Sequence, residues 1–325
     1  MGILVVRYVE RGKARWGKLC NDAPRQPDER CTLWPIVTSA ETTSSLIAQF
    51  DAGEFLLSDP IEVSAKLLTS PITADGSVFC QGLNYGAHAA EAQHHARKSN
   101  LVFSKASSSI TGPFDNVIRP QDVELLDYEA EIGIVVRADL SAATKVTEAN
   151  IGDAIAGVVL SNDVSARDTM FGSTFMQWYL GKSYRTFCPT GPALVLLRRD
   201  EVSETLAKLE INLWLNSELR QSALSSQLIW KPAETIGYLS GMIDLKRGDL
   251  LLTGTPGGVT APASPKLIDI LKTYLMDDEA RRDALRTEMM RTRPFMQPGD
   301  IVTATLRDVR SGRLLGGLAN TIVAV

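Results

Sequence analysis

An acidic segment, D-Y-E-A-E (127–131), runs directly into the apolar segment I-G-I-V-V (132–136). If the two form a single β-strand, alternate side chains lie on opposite faces, so Asp127, Glu129 and Glu131 project to the same side. Three carboxylates on one face repel one another unless a cation lies between them. The segment therefore predicts a buried strand that carries an acidic, cation-binding end.

A second apolar run, 156–160, ends at S-N-D (161–163) and places the carboxylate of Asp163 at a neighbouring strand end. Ligand sets made only of oxygen favour Mg²⁺, Ca²⁺ or Mn²⁺ over zinc. The pattern predicts a divalent metal site. The alternative is that Lys or Arg side chains pair with these carboxylates, which is the commoner fate of an isolated E-x-E pair.

Composition and charge limit the classes of function. The 325-residue chain has a net charge of −4 with acidic and basic residues interspersed, unlike the basic surface of nucleic-acid-binding proteins. No apolar run is long enough to span a bilayer, and the first residues lack a secretion signal. The four cysteines are scattered without a C-x-x-C pair, so we expect free thiols. We therefore expect a cytoplasmic protein without nucleic-acid or membrane partners.

Segments typical of strands dominate the chain. A hairpin over 4–19, with helices near 42–50 and 60–68, predicts a small α+β domain at residues 1–72. Residues 73–325 contain recurrent short apolar runs and few helical segments, near 87–98, 146–155 and 233–242. Strands and helices do not alternate regularly, which argues against a doubly wound sheet. The sequence predicts an α+β fold whose larger domain is a β-rich mixed sandwich roll.

A helical insertion is predicted at about 264–296 of the larger domain. Leu267, Ile270 and Leu271 recur at helical spacing. Acidic residues at 277–279 precede several arginines, an order that suits the dipole of a second helix. Two interpretations remain open: an amphipathic hairpin packed on the surface, or a lid or dimer contact.

Polar residues outside the acidic strand indicate catalytic groups. His88 and Glu91 share one face of a helix, and a carboxylate beside an imidazole is typical of a general base, although such pairs are more often surface contacts. Lys182 lies in a G-K-S segment that is not a P-loop, and it suits an anionic substrate or an oxyanion. Thr255 lies in a glycine-rich turn that either contacts a ligand or is only a tight turn.

Six segments together resemble the fumarylacetoacetate hydrolase family, and they occur in the family's order. They are G-L-N-Y-G-A-H-A-A-E (82–91), D-Y-E-A-E (127–131), S-N-D-V-S-A-R-D (161–168), Q-W-Y-L-G-K-S (177–183), F-C-P-T-G-P (187–192) and L-T-G-T-P-G-G-V (252–259). The resemblance covers about residues 75–325, and the N-terminal segment also resembles the variable front domain of these proteins. It implies a mixed β-sandwich roll that forms a homodimer.

The resemblance also implies roles for individual residues. It implies three ligands for Mg²⁺, or for Ca²⁺ or Mn²⁺: Glu129, Glu131 and Asp163. Asp127 is left in a supporting role. Lys182 is implied to stabilise an oxyanion or enolate, and His88 with Glu91 to activate water. Four residues are implied to contact the substrate: Tyr85, Arg167, Met170 and Thr255.

Two departures from the family pattern bear on the substrate. Family members commonly carry Gln two residues after the A-R-D motif, where this chain has Met170. We therefore expect a less polar pocket that accepts a more apolar acyl group. The segment at 264–296 is long for its place in the family, which leaves its role in assembly or in access to the site open.

The preferred hypothesis is a metal-dependent hydrolase that cleaves a C–C bond in a 1,3-dicarbonyl or acylpyruvate-like substrate. His88 and Glu91 would activate water, and the metal with Lys182 would stabilise the departing enolate. The first alternative is a decarboxylase or keto–enol isomerase that acts on a 2-oxo acid such as oxaloacetate and needs no attacking water. The second is a catalytically silent binding protein. For either enzyme, the expected partner is a small anionic dicarbonyl or 2-oxo acid.

Overall fold

The computed structural model describes residues 2–86, 99–141, 143–261, 264–291 and 294–325. Within these ranges the chain forms 21 strands: β1 (Ile3–Glu10), β2 (Lys13–Leu19), β3 (Arg30–Val37), β4 (Leu56–Leu57), β5 (Ile61–Ser64), β6 (Leu68–Thr69), β7 (Val78–Gly82), β8 (Leu101–Lys105), β9 (Ile110–Thr111), β10 (Val117–Arg119), β11 (Leu126–Asp127), β12 (Ala130–Val136), β13 (Ile155–Asn162), β14 (Ser165–Ala166), β15 (Cys188–Pro189), β16 (Ala193–Leu196), β17 (Leu209–Leu215), β18 (Glu218–Leu224), β19 (Leu250–Leu252), β20 (Ile301–Asp308) and β21 (Leu314–Ala324).

The same described ranges contain eight α-helices: α1 (Thr43–Asp51), α2 (Ile151–Ala154), α3 (Arg167–Phe171), α4 (Trp178–Lys182), α5 (Val202–Leu206), α6 (Pro232–Ser240), α7 (Pro265–Thr273) and α8 (Asp278–Met289). Short 3₁₀ turns lie at Ala65–Leu67, Ser107–Ser109, Arg199–Glu201 and Ser225–Gln227. None of the helices in the described chain is long and apolar enough to cross a bilayer. The four cysteines are free thiols, which confirms the expectation from their spacing.

The central strand β12 is buried along its whole length. Its side chains alternate, so Ile132 and Ile134 pack into one core while Val135 packs into another. The expected single strand over 127–136 is wrong, because β11 ends at Asp127 and β12 begins at Ala130. The carboxylate of Asp127 accepts a hydrogen bond from the backbone N–H of the next residue, and the two segments pair with different strands, β11 with β14 and β12 with β13.

The largest sheet has twelve strands in the order β4-β3-β2-β1-β16-β13-β12-β19-β7-β8, with β5 paired to β3 and β6 paired to β1. Strand β1 runs antiparallel to β16, so the N-terminal strands extend the sheet that contains β12. The boundary between residues 72 and 73 stays a prediction.

A second sheet of five strands, β10-β21-β20-β17-β18, packs against the central strands of the first. Side chains from both sheets fill one apolar core, among them Ile132, Leu160, Ile211 and Leu306. A second core lies on the opposite face of the large sheet, where α1 contributes Leu46. The predicted β-rich α+β fold is confirmed.

Two expected helices differ in the structure. Residues 60–68, expected to be helical, instead form β5, a 3₁₀ turn and β6. Strand β5 pairs antiparallel with β3, from Ile61 opposite Leu33 to Ser64 opposite Arg30, and this pairing determines the local conformation. Of the helix expected at 146–155, only α2 forms. The helix expected at 87–98 lies outside the described residues.

The helical segment at about 264–296 forms two helices, α7 and α8. Ser264 caps α7 by accepting a hydrogen bond from the N–H of Leu267, and Asp277 caps α8 through the N–H of Ala280. The apolar faces of both helices join a third core that also contains Met170. The helical pair is therefore packed onto the main body of the fold beside the acidic strand end.

Candidate active site

Three carboxylates meet at the end of the central strands. Glu129 precedes β12, Glu131 lies in it and Asp163 follows β13; the two strands are paired so that Glu131 lies opposite Ser161. One oxygen from each carboxylate lies within 4.8 Å of the others, and all three residues are buried. The structure thus brings together the three metal ligands that the resemblance implies.

Two buried lysines contact this cluster. Lys182 Nζ lies 2.9 Å from Glu129 Oε2, 2.6 Å from Asp163 Oδ2 and 2.8 Å from Ser165 Oγ. Lys105 Nζ lies 2.7 Å from the other oxygen of Asp163. Burial by itself lowers the pKa of Lys182, but the carboxylates of Asp163 and Glu129 outweigh it and raise the pKa above its ordinary value. Lys182 therefore holds its proton inside the site.

Arg167 joins Asp127 to the cluster. Its Nε lies 3.0 Å from Asp127 Oδ2 and its Nη2 lies 2.5 Å from Glu129 Oε1. Asp127 also accepts the backbone N–H groups of Thr260 and Ala261 at 2.9 and 3.0 Å. Asp127 thus positions Arg167 and the turn that follows β19, in agreement with its expected supporting role.

Glu131 is the least compensated member of the cluster. Its Oε2 accepts the backbone N–H of Gly254 at 2.6 Å, whereas its buried Oε1 has no hydrogen-bond partner among the described residues. Burial raises the pKa of Glu131 well above its usual range, and the nearby carboxylates of Asp163 and Glu129 raise it further. Gly254 has φ = +90°, and a Cβ there would lie 2.8 Å from Cβ of Asn84. The hydrogen bond from Gly254 to Glu131 therefore requires glycine at this position.

A divalent cation fits these residues. The four carboxylates, with Asp127 included, are opposed by three cationic side chains among the described residues: Lys105, Arg167 and Lys182. A cation beside Glu131 Oε1 would give this oxygen a partner and offset the remaining negative charge. Oxygen-only ligands of this kind are those that Mg²⁺, Ca²⁺ and Mn²⁺ prefer.

A cavity of about 320 Å³ opens beside the cluster. Its polar lining includes Glu129, Arg167, Lys182 and Thr255. The hydroxyl of Thr255 donates to the carbonyl of Ala130 at 3.0 Å and accepts from the side-chain amide of Gln221 at 2.8 Å. Its proton is therefore already engaged, but the oxygen can accept one further hydrogen bond.

The remaining predicted site residues lie in different places. Met170 lines the cavity, and its sulfur lies 3.7 Å from Nη1 of Arg167. Tyr85 is buried, and its hydroxyl has no hydrogen-bond partner in the described chain. Burial raises the pKa of Tyr85, and the charge of Glu131 adds to the effect. His88 and Glu91 lie outside the described residues, so their role stays a prediction.

Sequence reasoning missed two contributors to the site. Lys105 ends β8 and is fully buried against Asp163, although the sequence presents it only as a lysine after a short apolar run. Helix α7 lines the cavity with Leu267, Ile268 and Leu271, so the helical segment forms a wall of the site. Its amphipathic spacing predicted an apolar face but did not reveal what that face contacts.

Comparison with known proteins identifies the family. The family model for the fumarylacetoacetate hydrolase C-terminal domain matches residues 77–323. The chain belongs to the fumarylacetoacetate hydrolase family. Within this family it is 36% identical, over 228 residues that cover 70% of each chain, to a protein of Bos taurus named oxaloacetate tautomerase FAHD2B, mitochondrial.

Solved structures of this family have the same fold. A probable 2-hydroxyhepta-2,4-diene-1,7-dioate isomerase from Mycobacterium abscessus is 26% identical and superposes with a TM-score of 0.70, over 100% of this chain and 99% of that one. A fumarylacetoacetate hydrolase from Exiguobacterium antarcticum is 24% identical, with a TM-score of 0.71 over 99% and 100% of the two chains. At that identity the second likeness concerns the fold alone.

Proposed function

We propose that the chain is a metal-assisted keto–enol tautomerase of 2-oxo acids. The observation that carries the proposal is the position of Lys182 Nζ, a buried ammonium between Glu129 and Asp163 at the polar end of the cavity. Relatives named as oxaloacetate tautomerases support this reaction over the hydrolysis expected first. Tautomerisation is the isomerase alternative that the sequence left open.

We propose Mg²⁺ as the resident ion, with Ca²⁺ and Mn²⁺ as alternatives, held by Glu129, Glu131 and Asp163. When bound, such an ion supplies Lewis-acid polarisation of the 2-oxo group. Lys182 would place a fixed positive charge at Nζ beside the oxygen that becomes anionic when the ketone enolises, while the proton that leaves the adjacent carbon passes to solvent water. Its carboxylate partners hold it in place before the substrate enters, so little reorganisation is needed.

Thr255 distinguishes the two tautomers. Its hydroxyl proton is donated to a backbone carbonyl, so toward the cavity its oxygen is an acceptor. An enol O–H can donate to that oxygen, whereas a ketone cannot. Arg167, held by Asp127 and Glu129, adds positive charge at the same end and favours the substrate's carboxylate.

The second candidate is C–C bond hydrolysis. The spacing of His88 and Glu91, typical of a general base with its orienting carboxylate, favours it. Hydrolysis adds water and yields two products, whereas tautomerisation conserves the mass of the substrate. A His88→Ala variant should lose hydrolysis, while tautomerisation that depends on Lys182 should survive.

The test is a direct assay of the purified chain on oxaloacetate and acylpyruvates, with Mg²⁺ and with EDTA. We expect the enol absorbance to decay faster with enzyme and Mg²⁺, an unchanged substrate mass, and loss of the acceleration in EDTA. Two acids as products would establish the hydrolase instead. No acceleration and no products on any of these substrates would refute both enzymatic proposals.

Assembly is proposed from the resemblance to the family, and location from the composition and cysteine spacing of the sequence. A homodimer is expected, and light scattering coupled to size exclusion would give twice the mass of 35.4 kDa if it is correct. A cytoplasmic location remains the proposal for this chain, and localisation of a tagged copy tests it.

A further inference from the structure

The cavity beside the carboxylate cluster is lined by a few polar side chains and by a larger set of apolar ones. Its volume of about 320 Å³ lies near the lower end of the range for small-molecule sites, about 300–1,000 Å³. The apolar part of the lining includes Leu101, Phe103 and Trp178, and α7 adds Leu267, Ile268 and Leu271. Phe103 lies near the polar residues, with its ring centroid 5.5 Å from Lys182 Nζ, whereas Trp178 packs in one core with Leu267 and Leu271. A substrate whose acidic end binds Arg167 and Lys182 therefore has the apolar side chains of α7 and Trp178 available to contact its remaining part.

Positive charge in the described lining is confined to the polar end. Arg167 and Lys182 are the cationic residues there, and both already contact carboxylates of the cluster. Gln81, the remaining polar residue of the lining, uses its amide nitrogen on Asn100 and Thr235. Among the described residues, a carboxylate at the far end of a substrate would find no charged partner, and burying it there would be strongly unfavourable.

The apolar wall is held in place by helix α8. The guanidinium of Arg281 is buried and donates to the carbonyls of Ser173 and Tyr274. Nε of Arg282 donates to the carbonyl of Gly172 at 3.0 Å. The bonds to Ser173 and Gly172 tie the helical pair to the segment that follows α3, and Phe171 at the end of α3 also lines the cavity. The helical pair is therefore hydrogen-bonded to the body of the fold next to the cavity.

We propose that α7 is the specificity-determining wall of the site, and that the substrate is a monoanionic 2-oxo acid whose distal substituent is apolar rather than a second carboxylate. This inference rests on the proposed tautomerase function and narrows its substrate class. The proximal carboxylate and 2-oxo group lie at the polar end, and the distal hydrocarbon lies against Leu271 and Trp178. A dicarboxylate such as oxaloacetate is then a poor substrate of this chain, although relatives are named for it.

The first arm of the test compares matched ligands. Acetylpyruvate and oxaloacetate have nearly the same size and differ at the far end by a methyl ketone in place of a carboxylate; phenylpyruvate offers a larger apolar group. With Mg²⁺ present, we expect kcat/KM for enol decay to favour the apolar substrates by at least about tenfold, the discrimination that small changes in a buried apolar contact provide. Calorimetric affinities for phenylpyruvate and oxaloacetate give the same comparison without turnover.

The second arm changes the charge of the wall. Ile268 lines the cavity and is partly exposed, so Ile268→Arg adds a cation to the wall with little disturbance of the core. Thr273→Arg is the matched control, because Thr273 is exposed on the same helix and lines an outer groove instead. We expect Ile268→Arg to shift the ratio of affinities at least about tenfold toward oxaloacetate, since a close opposite charge favours the bound carboxylate, and Thr273→Arg to leave it unchanged.

Every outcome bears on the proposal. Wild-type protein that binds oxaloacetate as tightly as phenylpyruvate overturns it, and so does an equal shift in Ile268→Arg and Thr273→Arg. If the binding preference and its shift are found but no substrate is tautomerised, the proposed function fails and the assignment of the wall stands. If the chain tautomerises its substrates but prefers oxaloacetate, the proposed function stands and the assignment of the wall fails.

Discussion

The carboxylate cluster and the helical wall border the same cavity but are built in different ways. Glu129, Glu131 and Asp163 lie at the ends of paired central strands, and the surrounding lysines, arginine and backbone N–H groups bind all their oxygens in the described chain except Oε1 of Glu131. The wall consists of side chains from α7, a nine-residue helix whose residues Ile268 and Leu271 are only partly buried. The first region depends on hydrogen bonds and charge, and the second depends on shape and apolar area.

This difference separates the reaction from the choice of substrate. Most substitutions in the cluster, such as those of Glu129, Asp163 or Lys182, leave a buried charge or polar group without its partner. A residue of the wall can change in size or polarity at small cost, because α7 packs on the body of the fold from outside the strand pairing. The chemistry should therefore be sensitive to conservative changes in the cluster, and the substrate range should respond to changes in the wall.

Lys182→Met tests most directly whether the reaction depends on the charges of the cluster. The substitution keeps the length of the side chain and removes its charge. We expect kcat to fall by about 10²–10³-fold, the usual effect of removing one group that stabilises a developing oxyanion. Lys66→Met, an exposed lysine outside the site, is the control and should keep full activity. Near-normal turnover by Lys182→Met would exclude this residue from the reaction.

Removal of one ligand should affect metal binding more than folding. Glu131→Gln replaces a buried charge, one oxygen of which has no partner in the described chain, by a neutral isostere that can still accept from Gly254. At Mg²⁺ concentrations of 100 Kd, the wild-type protein should gain about 2.7 kcal/mol of unfolding free energy, and the variant should gain almost none.

Thermal unfolding with Mg²⁺ and with EDTA measures both effects of this substitution. We expect the metal-free variant to be at least as stable as the metal-free wild type, because a buried charge has been removed. The exposed substitution Glu62→Gln should leave the response to Mg²⁺ intact. A full Mg²⁺ response in Glu131→Gln would remove this residue from the ligand set.

The acidic half of the site could be predicted from the sequence because its signal is local. Glu129 and Glu131 alternate with small or aromatic residues and directly precede a β-branched run, a pattern that indicates a strand with an acidic end. Asp163 has the same relation to the preceding run at 156–160. The residues alone predicted an acidic cluster that included Asp127, and the resemblance to the family singled out Glu129, Glu131 and Asp163.

Contacts between distant residues were beyond this kind of prediction. Lys105 and its partner Asp163 are 58 residues apart, and nothing near Lys105 indicates that the side chain is buried. The segment 60–68 contains residues that tolerate a helix, yet it pairs with β3 about 30 positions upstream. The spacing of apolar residues identified α7 but not the cavity beside it. In each case the contacting residues are distant in sequence and come together only in the tertiary structure.

A glycine beside Lys182 allows the cluster and the apolar lining to be disturbed together. A Cβ on Gly181 would lie 2.2 Å from Cγ of Met170, so Gly181→Ala must move the methionine, the lysine or both. We expect a loss of about 1–3 kcal/mol of unfolding free energy, as for other overpacked sites, with a fall in kcat because Lys182 Nζ is displaced.

The control for Gly181→Ala is Gly237→Ala, for which we expect the opposite change in the free energy of unfolding. Gly237 lies inside α6, and the nearest atom to a Cβ there is 3.6 Å away, an ordinary contact. Gly237→Ala should therefore stabilise the protein by about 0.5–1 kcal/mol through helix propensity and leave turnover unchanged. Denaturant unfolding distinguishes the two variants. If both variants changed the free energy of unfolding equally and only slightly, Met170 would have room to move.

A substitution in the wall formed by α7 should have the smallest effect on the kinetics. Leu271→Ala removes apolar area from the cavity side of α7 but breaks no described hydrogen bond of the cluster, so kcat should change little. We expect KM for phenylpyruvate to rise by about fivefold, corresponding to about 1 kcal/mol of lost apolar contact, while KM for oxaloacetate stays constant because that substrate gains nothing from the wall. Steady-state kinetics on both substrates measures the difference. A drop in kcat as large as that of Lys182→Met would mean that the wall positions the reacting atoms, and the proposed separation between reaction and substrate choice would be wrong.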